Sequence, residues 1–202
     1  MNFNGFTHKK IVVSNYLSKA IAFAVNNGAD VLNLSLGIPK IIETPQLISA
    51  IDYALSRDVV VVASAGNNNK KKNIFPCNYN GVVCVGGIDI QGEKVRSSNF
   101  GQLVDVYAPG EKLVSTIPTT IESKILRIGN YDIRSGTSYA IAYVTGLAAA
   151  LKLNGNVKNS YDFLSVLNSS NTNFSIRGKY PTVNYKKALL VNKLTPVILT
   201  KE

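Results

Sequence analysis

At 202 residues, 46% hydrophobic and 17% charged, the chain is long enough for one domain with a sizeable core and too weakly charged to be disordered. No apolar run approaches the roughly 20 residues of a membrane span, and the first 20 residues lack the apolar core of a secretory signal. A net charge of +10 raises the question of an anionic partner. The lysines are spread out, however, and no nucleic-acid motif accompanies them, so a lysine-rich surface is expected, with neither a nucleic-acid partner nor a membrane span.

The pattern then alternates helix and strand. Residues 14–26 carry Leu17, Ile21, Ala24 and Val25 at helical spacing and stop near Asn27-Gly28. Residues 30–36 form a short apolar strand. Thr44-Pro45 reads as an N-cap followed by proline at the first helical position, with Leu47, Ile48, Ile51 and Leu55 on one face of the helix that follows. Residues 59–63 are a continuous β-branched run, which suits a strand covered on both faces of a parallel sheet, and 81–87 is another. Shorter strands are expected at 103–107 and 112–117, around the turn Ala108-Pro109-Gly110. A hairpin is expected over 126–134, about Gly129-Asn130. A helix over 138–153 follows, then two weaker ones over 161–167 and 184–191. Strand, helix, strand at this spacing argues for crossover units in an open, mostly parallel α/β sheet. Residues 67–73, Asn-Asn-Asn-Lys-Lys-Lys-Asn, read as a solvated polar loop.

Cys77 and Cys84 leave two readings open: a disulfide in an oxidising compartment, or two buried thiols. With them and one histidine, His8, a structural zinc site is not expected. His8 reads as part of an exposed terminus. Asn33-Leu34-Ser35, Asn168-Ser169-Ser170 and Asn173-Phe174-Ser175 fit the glycosylation pattern, the first of them expected to be buried.

The stretch Arg134-Ser135-Gly136-Thr137-Ser138-Tyr139-Ala140 places a serine at the mouth of a long helix of small residues. A helix N-terminus offers unpaired N–H groups and partial positive charge to a developing oxyanion, which is one way to build an acyl-transfer site. In open α/β sheets, sites gather beyond the carboxyl ends of strands. Two segments end there: one runs into Ser35-Leu36-Gly37 and the other into Ser64-Ala65-Gly66-Asn67.

Taken in order, these segments resemble the subtilisin-like serine proteases. Residues 26–37 resemble that family's strand ending in Ser-Leu-Gly, and 58–67 its oxyanion segment. Phe75-Pro76 with 82–87 resembles its aromatic-proline and Val-Gly-Ala strand. Ser97-Ser98-Asn99-Phe100-Gly101 and Asp105-Val106-Tyr107-Ala108-Pro109-Gly110 resemble its next two blocks, and Gly136-Thr137-Ser138 its nucleophile motif. The likeness is clear over 14–153 and looser beyond, so residues 1–202 are expected to be a partial peptidase domain with its N-terminal part missing. The implied fold is a three-layer, mostly parallel sheet with helices on both faces.

The resemblance implies that Ser138 is the nucleophile, and that Asn67 and the Ser138 N–H are the oxyanion donors. Ser35, Leu36 and Gly37 would form one edge of the cleft, taking an extended peptide or protein substrate as an added strand. Ala65 and Gly66 would line the pocket for the side chain before the scissile bond, and Pro76 would follow a cis bond. A secreted or secretory location is implied in the same way. Calcium is implied only by the family. Asp105 matches a position near a weak cation site, but Leu103 stands where a second carboxylate would help, and no metal ligands are otherwise evident.

Several features depart from the pattern. The Asp-Ser/Thr-Gly and His-Gly-Thr-His motifs that carry the rest of the triad are absent from this chain, and Thr7-His8-Lys9-Lys10 does not match the latter. The chain alone is therefore expected to be inactive. Tyr143 replaces a histidine of the family's helix that is not the general base, and Tyr139 places a ring beside the nucleophile. The alternatives are a non-catalytic peptide-binding pseudoprotease or a truncated, inactive product.

Overall fold

A computed structural model of the chain describes residues 4–37, 44–71, 74–118, 127–128, 130–173 and 180–190. Five helices, α1 (Asn4–Asn26), α2 (Pro45–Ser56), α3 (Thr137–Leu153), α4 (Ser160–Ser170) and α5 (Tyr185–Leu190), alternate with strands β1 (Val31–Leu34), β2 (Val60–Ser64), β3 (Val83–Ile88) and β4 (Val106–Pro109). Those four strands pair in chain order and in parallel. Two-residue strands β8 (Thr172–Asn173) and β9 (Pro181–Thr182) extend the sheet to the order β1-β2-β3-β4-β9-β8, with β9 parallel to β4 and β8 antiparallel to β9. A separate antiparallel sheet joins β5 (Leu113–Thr116), β7 (Tyr131–Arg134) and β6 (Arg127–Ile128).

The valine run explains the layering. Successive residues of a strand face opposite sides of its sheet. Val61 and Ala63 pack with Leu47, Ile51 and Ala54 of α2 and Ile21 of α1 on one side. Val60 and Val62 pack with Ile141, Val144 and Leu147 of α3 and Phe163 and Leu167 of α4 on the other. Both faces are covered, so the strand reads as unbroken β-branched residues. Ala140 and Ala148, fully buried, let α3 lie close to the sheet.

The start of α2 follows its sequence: Thr44 Oγ1 accepts the Leu47 N–H at 3.3 Å, and Pro45 is the first helical residue. Elsewhere the boundaries move. α1 begins at Asn4, ten residues before the expected start, so His8 lies within a helix; its side chain is outside the described residues. The sequence places the fourth strand at 103–107, but β4 begins at Val106. Asp105 interrupts the ladder by using its carboxylate, at 2.7 Å, to accept the Cys84 N–H. β8 and β9 had no signal, being only two residues each and including a proline. Asn33, expected to be buried, is exposed: among the described residues β1 is an edge strand, paired with β2 alone. Asn168 is also exposed, while Phe174 and Ser175 of the third glycosylation pattern lie outside the described residues, as do Lys72 and Asn73 of the polar loop, Leu126 and Gly129 of the hairpin, and Val191. Cys77 and Cys84 form a disulfide, which settles the two open readings. The Phe75-Pro76 bond is cis.

Tyr107 of β4 is 2% exposed, with its ring against Tyr180 at 4.9 Å between centroids. Burial pushes its phenol up to about 12; a hydrogen bond with the Gly101 backbone pulls the other way, and neighbouring Tyr180 adds a smaller upward push. The native state thus holds this proton more tightly than the unfolded chain, whose phenol titrates near 10. The resulting stabilisation is complete below pH 10 and is lost as pH rises toward 12. Urea denaturation across that window is expected to show stability falling less steeply in Tyr107→Phe than in the parent chain.

Candidate functional site

β2 runs out through Ala65 and Gly66 into Asn67, and there it meets the first turn of α3. Thr137 donates twice to Asn67 Oδ1, from its backbone N–H at 2.9 Å and from its hydroxyl at 3.1 Å. A backbone N–H can only donate, so these bonds fix the amide orientation: Oδ1 faces the helix, and Nδ2 is left on the exposed side. Gly136 makes the turn into the helix at a φ of 144°, and a Cβ there would lie 3.4 Å from Asn67 Nδ2. The positive φ there is a backbone conformation that favours glycine.

Ser138 is the second residue of α3. Its N–H is therefore one of the first four, which have no carbonyl to bond within the helix, and it sits at the positive end of the helix dipole. Its hydroxyl donates to the Ser35 carbonyl at 3.3 Å, and the Ser35 hydroxyl donates back to the Ser138 carbonyl at 3.3 Å. The relay continues along β1. Thr145 Oγ1 donates to Asn33 Oδ1 at 2.8 Å, and Asn33 Nδ2 donates to Ser35 Oγ at 2.8 Å. Among the described residues no imidazole or carboxylate bonds to Ser138.

The structure thus brings Ser138, Asn67 and Ser35 together. Gly37 and Gly66 flank a common neighbour, Ile74. Ala65 is 3% exposed, its N–H bonded to the Val85 carbonyl at 2.9 Å, so it contributes backbone more than side chain. Leu36 is half-buried against the α1–α2 side of the core. Tyr143 is 40% exposed and stands five residues past Ser138, roughly 140° around the helix. There it lines a cavity of about 530 Å³ with Ile88, Pro109, Leu113, Val183 and Tyr185. Burial, and then proximity to Tyr143, raises the Tyr185 phenol well above its ordinary value.

Asn99, Lys94 and Thr137 support the site without having been singled out individually in the sequence. The Asn99 side chain, 1% exposed, clamps the loop that carries Asn67. Its Oδ1 accepts the Asn68 and Lys70 N–H groups at 3.0 and 3.1 Å, and its Nδ2 donates to the Ala65 carbonyl at 2.8 Å. Lys94 Nζ in turn donates to Asn69 Oδ1 at 2.9 Å and to the Val95 and Ser98 carbonyls at 3.0 Å each, with the Phe100 ring centroid 5.2 Å away. The available signal was that Asn99 belongs to a block resembling the family pattern; its partners come from distant sequence.

Around Asp105 the described residues do not gather the carboxylates a calcium ion would need. One Asp105 oxygen is committed to the Cys84 N–H, Leu103 offers no side-chain ligand, and no three His, Cys, Asp or Glu side chains gather among the described residues. No described helix is long and apolar enough to cross a membrane.

The family model described as "Subtilase family" matches residues 8–179. The chain belongs to the subtilase family. It is 38% identical over 165 residues to the thermophilic serine proteinase of Bacillus sp. (strain AK1), covering 81% of this chain and 38% of that protein. It is 33% identical over 139 residues to thermitase of Thermoactinomyces vulgaris, covering 69% of this chain and 46% of that protein. Among solved structures, fervidolysin from Fervidobacterium pennivorans, a keratinolytic enzyme related to subtilisin, superposes with a TM-score of 0.77 at 30% identity, covering 90% of this chain and 30% of that one. The prenylagaramide maturation protease PagA gives 0.73 at 26%, covering 87% and 66%. This subtilase chain therefore spans less than half the length of those two curated relatives, and it shares with fervidolysin and PagA an α/β architecture of a mostly parallel sheet between helices.

The Asn99 clamp can be tested by stability. Asn99→Ala leaves the part-buried Asn68 and Lys70 N–H groups and the buried Ala65 carbonyl without their partner, at up to about 1–3 kcal/mol for a fully buried unsatisfied group and less for the part-buried ones. Urea denaturation is expected to show a loss of about 2–4 kcal/mol, against less than about 0.5 kcal/mol for the exposed Asn68→Ala.

Proposed function

We propose that this chain supplies the nucleophile and oxyanion side of a serine endopeptidase acting on peptide bonds, and that the triad aspartate and histidine come from sequence outside it. The observation that carries this reading is the Asn67 amide. Its oxygen is held by Thr137, which leaves its N–H₂ beside the open Ser138 N–H at a helix N-terminus. Two donors converging next to a hydroxyl stabilise charge that develops on a carbonyl oxygen under attack.

In this reading Ser138 Oγ forms a bond to the substrate carbonyl carbon while its proton passes to the histidine. The C–N bond then breaks as the amine takes that proton, and water hydrolyses the acyl-enzyme with the histidine again as base. An extended peptide lies along Ser35-Leu36-Gly37, its main chain hydrogen-bonded as an added strand. Among the described residues the Ser138 hydroxyl bonds to the Ser35 carbonyl, which is no base, so in this reading the 202 residues by themselves are inactive. The missing part of the domain belongs against the open side of β1. Among the described residues the strand pairs with β2 alone, and Ser35 at its end is exposed.

The same Ser138–Ser35 contact favours the second reading, a pseudoprotease that binds extended peptides without cleaving them. The two separate on the full-length gene product and an internally quenched peptide. The endopeptidase reading expects hydrolysis, reduced about 10²–10³-fold in kcat by Asn67→Ala and by a factor on the order of 10⁶ by Ser138→Ala. Peptide binding without hydrolysis by the parent protein would establish the pseudoprotease instead.

A further inference from the structure

A cavity lies away from the Ser138 cleft, where α3, α5 and the turn into β5 meet. It holds about 530 Å³, within the range of small-molecule sites. Ile88 at the end of β3 and Val183 after β9, 2% and 9% exposed, are among its apolar walls. Tyr143 of α3 and Tyr185 of α5 add two phenol rings. Burial, and then the neighbouring Tyr143, raises the Tyr185 phenol, so that ring stays neutral.

Two carboxylates complete the lining. Asp89 is fixed by its own turn: its Oδ1 accepts the Gln91 and Glu93 N–H groups at 2.9 Å each. Glu111 is half-buried, and among the described residues its carboxylate has neither an ion pair nor a hydrogen bond. Cations are in excess in this chain, 22 Lys and Arg against 12 Asp and Glu, yet none of the described ones is paired with it. Lys112 also borders the cavity, but it is exposed and forms no ion pair with its neighbour. A half-buried carboxylate beside apolar walls keeps its charge at a cost that a cation relieves.

This lining discriminates among ligands. A purely apolar molecule would strip water from Glu111 and put nothing in its place. An anion would face both carboxylates. A bare metal ion would meet two carboxylates against apolar walls, and no three His, Cys, Asp or Glu side chains gather among the described residues. An ammonium on an apolar body suits each part: its charge meets Glu111 and is drawn to the aromatic rings, and its body covers Ile88 and Val183. We propose that this cavity is a binding site for an organic cation, an ammonium group carried on an aromatic or alkyl body. The site is separate from the peptide cleft and does not depend on hydrolysis at Ser138.

Phenethylamine, phenethyl alcohol and hydrocinnamate test the charge directly. Each carries a phenyl ring on a two-carbon arm, and at neutral pH they end in a cation, a neutral group and an anion. Calorimetric titration of the full-length gene product is expected to give a Kd at least about 10-fold lower for the amine than for the alcohol, with no binding of the acid. Glu111→Gln, which keeps the shape, is expected to bring amine and alcohol within about 3-fold of each other. Tyr143→Leu is expected to weaken the amine by about 3–30-fold and the alcohol by less. Both side chains reach solvent, and an unchanged urea midpoint shows that the variants fold. The same constants are expected for Ser138→Ala, so the result stands whether or not the parent protein hydrolyses peptides. Equal affinity for amine and alcohol, no binding of the amine at millimolar concentration, or an amine preference unchanged in either cavity variant overturns the inference.

Discussion

Two hydrogen bonds from Thr137 to Asn67 Oδ1 hold the carboxyl end of the sheet against the N-terminus of α3, and the rest of the site follows from that clasp. Strands β1 to β4 are parallel, so their carboxyl ends emerge on one side of the molecule. α3 packs on the α4 side of the sheet with its N-terminus at that same end. The clasp requires Gly136, whose backbone brings Thr137 under the amide, and it requires the Asn67 loop to be held from behind, which Asn99 does. Each of these residues would be unremarkable alone, since asparagine after glycine is commonly only a turn. Together they choose which end of one amide faces outward.

The sheet is finished on its faces and open at one edge. Helices cover both faces with apolar contacts, whereas β1 ends the described sheet with Asn33 and Ser35 tied by hydrogen bonds to Thr145 and Ser138. Those polar links align the strand end with the helix without a hydrophobic neighbour on the outer side. They also commit the Ser138 hydroxyl to the Ser35 carbonyl.

Much of this was legible in the sequence where one local rule dominates. The valine run gave β2, because only a strand covered on both faces has no reason to alternate. Thr44-Pro45 gave the start of α2, and Gly136-Thr137-Ser138 gave the start of α3 within one residue. The misses come from contacts between distant segments. Leu103 and Val104 look like strand, but the Asp105 carboxylate takes the Cys84 N–H and delays pairing to Val106. The cysteine spacing admits both redox states, and only the turn after Pro76 brings the two Cα atoms within 4.7 Å. The exposure of Asn33 depends on what lies beyond β1, which no pattern within 31–34 encodes.

The ammonium of Lys94 has a consequence beyond holding the 95–100 loop in place. Backbone and amide oxygens converging on one point usually mark a seat for a dissolved cation, whose occupancy rises and falls with the medium. Here the chain brings its own positive charge on a tether, so the oxygens of Asn69, Val95 and Ser98 are neutralised at an effectively fixed concentration. The order of this loop, and of the Asn99 clamp beside it, therefore rests on a charge that is covalently part of the chain.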